Sequence, residues 1–285
     1  GPGHVHLING LYDAHRSNCP VLAIASTCPS DQFGTGYFQE TDPIRLFDDC
    51  SGYNQMAVTP AQFARMLPAA LQHAIHRREV AVVGLPGDVA ASPCAESPGA
   101  SGPLPSHGIY RPLDGELRQL AEMIGSAERI TVFCGIGARE AHDEVVRLAA
   151  MLKAPVAYTF KAKMEVQYDN PYEIGMTGLL GLPSAYGAMH ESDLLLLLGT
   201  DFPYDCFLPS ECRIAQVDIR PERIGRRARV ELGLAGDVKE TLQALFPMLR
   251  ERSDRVFLDR QLKIYGALCD AMAAVASKRG SAGNI

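Results

Sequence analysis

The sequence predicts an α/β protein built from two parallel-sheet domains. Three observations carry that prediction. Short apolar runs such as E-V-A-V-V-G-L-P (79–86) and D-L-L-L-L-L-G (193–199) have the look of strands covered on both faces. They alternate with amphipathic helical segments, an order that demands crossover connections and a parallel sheet. Between two such series lies S-P-C-A-E-S-P-G-A-S-G-P-L-P-S-H-G (92–108), rich in Pro, Gly and Ser and without an apolar period, so it reads as a linker.

Taken in order, the first series opens with G-P-G and a helix over about 4–16, with Val5, Ile8, Leu11 and Tyr12 on its apolar side. P-V-L-A-I-A (20–25) is a buried-type strand. A loop with Gly34 and Gly36 comes next, then Y-N-Q-M-A-V (53–58). Thr59 can cap a helix whose first position is Pro60 and which runs to about Arg78. The strand 79–86 closes this domain, residues 1–91.

Past a linker placed at 92–110, the alternation strengthens over 111–254. A helix (114–127) leads to R-I-T-V-F-C (129–134), then G-I-G and a helix to about Leu152. P-V-A-Y-T-F (155–160), a helix near 183–190 and the strand 193–199 come after it. R-I-A-Q-V-D (213–218), V-E-L-G-L-A (230–235) and a helix over 237–252 complete a doubly wound, Rossmann-like domain. Residues 255–285 form one amphipathic helix, to about 277, and a polar tail.

Bulk properties narrow the function. The chain has 285 residues, 47% of them hydrophobic, and a formal net charge of −6, which argues against nucleic acid as the partner. The longest apolar run is too short to cross a bilayer, and no charged-then-apolar leader is present. Eight scattered cysteines without a C-x-x-C pair suit reduced thiols and a cytoplasmic location. No residues are assigned to a metal. Cys206 and Cys212 lack the partner spacing of a zinc site. No G-x-S-x-G, Walker A or H-E-x-x-H stretch supports the common hydrolase or triphosphatase chemistries.

In an open α/β sheet, ligands bind beyond the carboxyl ends of the strands, and the turns found there are the candidate site. C-G-I-G-A-R-E (134–140) offers Gly135 and Gly137 either for close approach to an anion at a helix start or for a plain tight turn. F-K-A-K (160–163) places two lysines, Lys163 among them, where they would meet phosphate or simply solvent. Thr177, Gly178, Leu179 and Leu180 make an apolar, glycine-bearing turn suited to the flat face of a large cofactor or to core packing. Thr200, Asp201, Phe202, Pro203 and Tyr204 come directly after the five-leucine strand. Asp218 ends a strand where an acid accepts hydrogen bonds from ribose hydroxyls or caps a helix. In the first domain, G-Y-F-Q-E-T-D-P (36–43) sets Phe38 and Gln39 in a glycine-flanked loop. His4 and His6 read as helix-start histidines.

These stretches, with L-P-G-D-V-A, Y-D-N-P-Y-E-I-G-M-T-G-L-L-G, L-L-L-G-T-D-F-P-Y and Q-V-D-I-R-P, resemble in order the thiamine-diphosphate enzymes of the pyruvate oxidase and acetolactate synthase superfamily. G-Y-F-Q-E-T-D-P and G-T-D-F-P-Y look more like the flavin-dependent pyruvate:quinone oxidoreductases than acetolactate synthase. The resemblance implies a first domain that binds the pyrimidine end of thiamine diphosphate, with Gly1, Pro2 and Gly3 on that side. Phe38 and Gln39 would line the place where pyruvate meets the cofactor.

It further implies a middle domain that binds FAD through Gly135, Gly137, Lys163, 177–180, 200–204 and Asp218. The family's activating glutamate precedes the G-P-G turn, and its G-D-G…N domain for diphosphate and Mg²⁺ lies beyond the middle domain. The chain therefore reads as a fragment: an incomplete pyrimidine-binding domain followed by an FAD domain, without turnover alone. The implied complete enzyme oxidatively decarboxylates pyruvate to acetate and CO₂, passing electrons to a quinone or another acceptor. It is a homotetramer, peripheral to the inner membrane only through a segment outside this chain. An acetolactate-synthase-like carboligase and a non-catalytic FAD or nucleotide-binding module are the alternatives. Residues 1–91 are expected to be the less stable part.

Overall fold

The computed structural model describes residues 1–94, 102, 104, 106 and 108–277. Most of the linker expected at 92–110, and the polar tail, lie outside the described residues. The chain divides into two compact units, Gly1–His107 and Gly108–Ile285.

The first unit runs α1 (Pro2–Val5), α2 (Leu7–Ser17), β1 (Val21–Thr27), α3 (Pro43–Leu46), β2 (Tyr53–Met56), α4 (Pro60–Arg77), β3 (Val80–Pro86) and α5 (Gly87–Ala91). Its sheet is parallel, ordered β1-β3-β2. The first helix starts at Pro2, earlier than periodicity suggests, because proline suits the first helical position. Thr59 caps α4 by accepting from the Gln62 amide. The core here is thin. One cluster joins Leu11, Phe47, Cys50, Val80 and Val82, and another is mostly alanine (Ala57, Ala70, Ala74, Ala81). β1 is an edge strand, and Ile24 on it is half exposed.

The second unit runs α6 (Asp114–Ser126), β4 (Ile130–Cys134), α7 (His142–Leu152), β5 (Val156–Tyr158), α8 (Lys163–Val166), β6 (Glu173–Met176), α9 (Pro183–Glu191), β7 (Leu194–Leu198), β8 (Arg213–Asp218), β9 (Leu232–Ala235), α10 (Val238–Leu245) and α11 (Val256–Ser277). All six strands are parallel, in the order β6-β5-β4-β7-β8-β9. β4 and β7 are buried along their whole length. α6, α7 and α10 close one face of the sheet, while α9 and α11 cover the other. The chain reverses its winding between β4 and β7, which makes the carboxyl edge of those strands the natural ligand crevice.

Four sequence expectations change. The helix expected over 237–252 stops at Leu245, because Pro247 cannot donate an amide and the chain tightens into the short turn Phe246–Met248. The helix after G-I-G begins only at His142, behind a tight turn at Ile136–Ala138. The runs at 53–58, 155–160 and 230–235 form shorter strands than their apolar residues suggest. β6 and α5 were not expected at all.

Candidate functional site

The crevice between β4 and β7 is closed by two turns in backbone contact. The Gly135 amide donates to Leu198 O and the Gly137 amide to Gly199 O, both at 2.9 Å. A Cβ on Gly137 would stand 2.7 Å from the Gly199 Cα, and Gly199 itself has φ +60°. These glycines are required by turn-to-turn packing. The tight-turn reading of G-I-G accounts for this packing. The Gly135 and Gly137 amides are engaged by carbonyls, and those of Ala138, Arg139 and Ala141 close the next turn.

Beside this closure, the carboxyl edge presents a row of large apolar side chains to solvent. After β6, buried Thr177 leads into Gly178 at φ +116°, which lets the turn rest on the Phe202 ring, 3.2 Å from where a Cβ would stand. Leu179 and Leu180 are then 72% and 70% exposed. On the adjacent turn, after β5, Phe160 and Met164 are exposed too, as are Tyr204 after β7 and Ile219 after β8. Phe202 anchors the row: it packs edge-on against buried Phe133 at 5.3 Å and against Tyr204 at 5.5 Å. Pro203 between them is exposed. Neighbouring apolar groups left in water mark a binding surface. The Lys163 ammonium donates along α8 to Gln167 Oε1 at 2.5 Å.

The polar end of the edge lies on β8. Asp218 is buried and accepts from the Arg220 amide at 2.9 Å, and burial pushes its carboxyl up from the ordinary value. Asp201 pairs with Arg226 at 3.0 Å and Arg227 at 3.2 Å. Sequence reasoning missed Gln216, which ties the two turns together. Its amide donates to Thr200 O at 3.2 Å and Arg223 O at 3.4 Å, and its carbonyl accepts from Gly225 N at 3.0 Å. The available signal was a lone amide inside the apolar strand R-I-A-Q-V-D.

In the first unit, the loop carrying Phe38 and Gln39 is held by one carboxylate. Glu40 accepts from the amides of Gly34 at 2.5 Å, Gly36 at 2.9 Å and Tyr37 at 3.0 Å. Chiefly through the Gly34 bond, its carboxyl stays below the usual range. Phe38 is 80% exposed at the tip, and Gln39 takes a left-handed backbone at φ +59°. Non-glycine residues in that region cluster at functional sites. Gly1 lies against the Gln39 carbonyl, where any Cβ would collide, so the G-P-G and F-Q stretches meet at Gly1; Pro2 and Gly3 are exposed at the start of α1. His4 is buried, bonded to Ser26 O at 2.7 Å and to the Thr41 hydroxyl at 2.8 Å, and burial lowers its pKa. It pins the loop to β1.

Among the described residues, no group of three His, Cys, Asp or Glu side chains converges as a metal site, and no helix is long and apolar enough to cross a membrane. A groove of about 1100 Å³ lies at the opposite, amino end of the second sheet. There the Arg252 guanidinium donates to the carbonyls of Ile124, Ala127 and Glu128, capping α6, so this groove is a structural junction.

The second unit matches the model of the thiamine pyrophosphate enzyme central domain over residues 117–245. Over 266 residues the chain is 48% identical to an uncharacterized 42.6 kDa protein from the isoamylase 3′ region of Pseudomonas amyloderamosa, covering 93% of this chain and 67% of that one. Bacillus subtilis YdaP, named provisionally as a thiamine pyrophosphate-containing protein, is 35% identical over 91% of this chain and 45% of its own length. The pyruvate oxidase of Lactiplantibacillus plantarum is 29% identical over 88% of this chain and 43% of its own. Proteins named acetolactate synthase match to a similar degree, the one from Mycobacterium bovis at 30% identity. Residues 117–245 are thus similar to the central domain of thiamine pyrophosphate enzymes, and the relatives that carry a functional name are thiamine pyrophosphate-containing, pyruvate oxidase and acetolactate synthase proteins. The chain spans two thirds of the first of these relatives and less than half of the others.

Proposed function

We propose that this chain is part of a thiamine-diphosphate enzyme that oxidatively decarboxylates pyruvate to acetate and CO₂, with electrons passing through FAD to a quinone. One observation carries the flavin assignment. The carboxyl edge of the second sheet sets an exposed apolar row (Leu179, Leu180, Phe160, Tyr204) beside a buried carboxylate, Asp218. An apolar wall fits a flat ring system, and an acid at a strand end fits a ribose. Thr177, Gly178, Thr200 and Asp201 would frame the molecule between the two, with Asp201 held by its arginines.

When bound, thiamine diphosphate would supply the carbon nucleophile for the keto group and FAD the electron acceptor. The residues of this chain bind, orient and exclude water. Phe38 would cover the reacting carbon from solvent, and the Gln39 amide would donate to the pyruvate carboxylate or carbonyl. Leu179 and Leu180 would keep water from the flavin. The assembly, proposed to be a homotetramer in the cytoplasm, would draw Mg²⁺ ligands from outside this chain.

An acetolactate-synthase-like carboligase is the second reading, favoured by relatives that carry that name at comparable identity. Product analysis separates them. The complete protein containing this chain is given pyruvate, thiamine diphosphate, Mg²⁺, FAD and a soluble quinone. Acetate with stoichiometric quinone reduction supports the oxidase reading. Acetolactate without quinone reduction replaces it with the carboligase, and bound flavin without either product points to a non-catalytic module.

A further inference from the structure

The turn that carries Leu179 and Leu180 lies just past a β-bulge. Val156 pairs with Glu173 and Tyr158 with Met176, so β6 holds one residue more than β5 across the same interval. The extra residue falls at Gly175, whose φ is +87°. Bulges of this kind bend a strand and re-aim the residues beyond it. Here those residues are Met176 and Thr177, then the exposed turn.

The bulge is held from outside the sheet by α11. The Tyr265 ring lies on Gly175, with its Cε2 3.1 Å from where a Cβ would stand. Its hydroxyl donates to Glu173 Oε1 at 3.1 Å. The Tyr158 hydroxyl donates to the other oxygen of the same carboxylate at 2.6 Å. Gln167 Nε2 reaches Oε1 at 3.4 Å, and Lys163 bonds Gln167 in turn. On the far side of the bulge, the buried Ser184 hydroxyl occupies Ile174 O at 2.8 Å. The bulge is thus braced by a connected polar network, in which two phenols converge on one acid from different elements. Such a network fixes a single arrangement.

We propose that Tyr265 is a positioning residue for the flavin-type site: through Glu173 and Gly175 it sets the aim of the 177–181 turn without itself touching the ligand. The proposal rests on the flavin reading only for its binding arm. Tyr265→Phe keeps the ring on Gly175 and removes only the hydroxyl. Glu173→Gln removes the charge on which both phenols converge.

The test measures FAD affinity by quenching of flavin fluorescence, the melting temperature, and amide hydrogen exchange at 177–181 with β4 and β7 as internal reference. Tyr265→Phe and Glu173→Gln should weaken FAD binding about tenfold, the scale of one lost hydrogen bond to a carboxylate. They should speed exchange at 177–181 while leaving β4 and β7 protected. Exchange at 177–181 unchanged in both variants, or raised equally in β4 and β7, overturns the proposal. If the unmutated chain binds no FAD, the flavin reading fails, and the exchange pattern alone decides the positioning role.

Discussion

Gly137 and Gly199 touch backbone to backbone: the Gly137 amide bonds Gly199 O at 2.9 Å, and a Cβ on Gly199 would fall 2.6 Å from the Gly137 Cα. The contact sits where the winding of the second sheet reverses. It closes the floor of the proposed flavin crevice with no side chain at all. Gly199→Ala forces both a left-handed alanine and a steric overlap, for a cost of about 2–4 kcal/mol. Denaturant unfolding of the second unit should show that loss. A variant as stable as the parent would mean that the two turns are looser than described.

Asp218 should trade stability for binding. Burial raises its carboxyl pKa above the ordinary 3.8, so folding favours the protonated acid. That stabilising contribution is complete below the ordinary value and is lost as pH rises through the raised one. At neutral pH the ionised group opposes folding, and Asp218→Asn should raise the melting temperature, with the gain shrinking toward pH 3. The same variant should bind FAD about tenfold or more weakly, because an acceptor for ribose hydroxyls has been weakened. A lower melting temperature at pH 7 with unchanged flavin affinity would contradict both halves.

Glu40 holds three amides of the loop that presents Phe38 and Gln39. Its lowered pKa means the clamp is complete above the ordinary glutamate range and is released as pH falls through the depressed value. Glu40→Ala should open 33–39 to proteolysis and accelerate amide exchange there at pH 7. Glu40→Gln should act in the same direction but less, since one acceptor oxygen remains. Equal protection in all three proteins would remove the clamp from the explanation.

Proteolysis should also rank the two units. The first has a three-stranded sheet with a half-exposed Ile24 on its edge strand and a core partly of alanine. The second sets a six-stranded sheet between helices on both faces, with β4 and β7 wholly buried. Under proteinase K at low ratio, a fragment carrying the second unit should accumulate while the first unit is lost. Early cuts inside β4–β8 would reverse that ranking.

Elements buried on both faces were legible because burial leaves continuous apolar runs: Leu194 through Leu198 could hardly be anything but a central strand. β6 was not legible, because Glu173-Ile174-Gly175-Met176 is short and its glycine is there for a bulge, which erases the two-residue alternation. The strand-end turns were placed by the α/β rule, and the structure gathers 177–180, 200–204 and Asp218 along one edge. What each glycine does was beyond the pattern. Gly135 and Gly137 spell only part of a phosphate turn, with Glu140 at its last position, and their amides face Leu198 O and Gly199 O. Gln216 and Glu40 owe their roles to backbone groups that the fold or loop closure brings to them, which no periodicity encodes.

The most direct measurement is flavin retention by this chain. The purified protein is mixed with FAD and desalted, and its visible spectrum is recorded with far- and near-ultraviolet circular dichroism on the same sample. A flavin band that stays with the folded protein, and that Leu179→Asp and Asp218→Asn both diminish, is the predicted result. Folded protein that emerges colourless would contradict the assignment of the carboxyl edge of the second sheet as a flavin site.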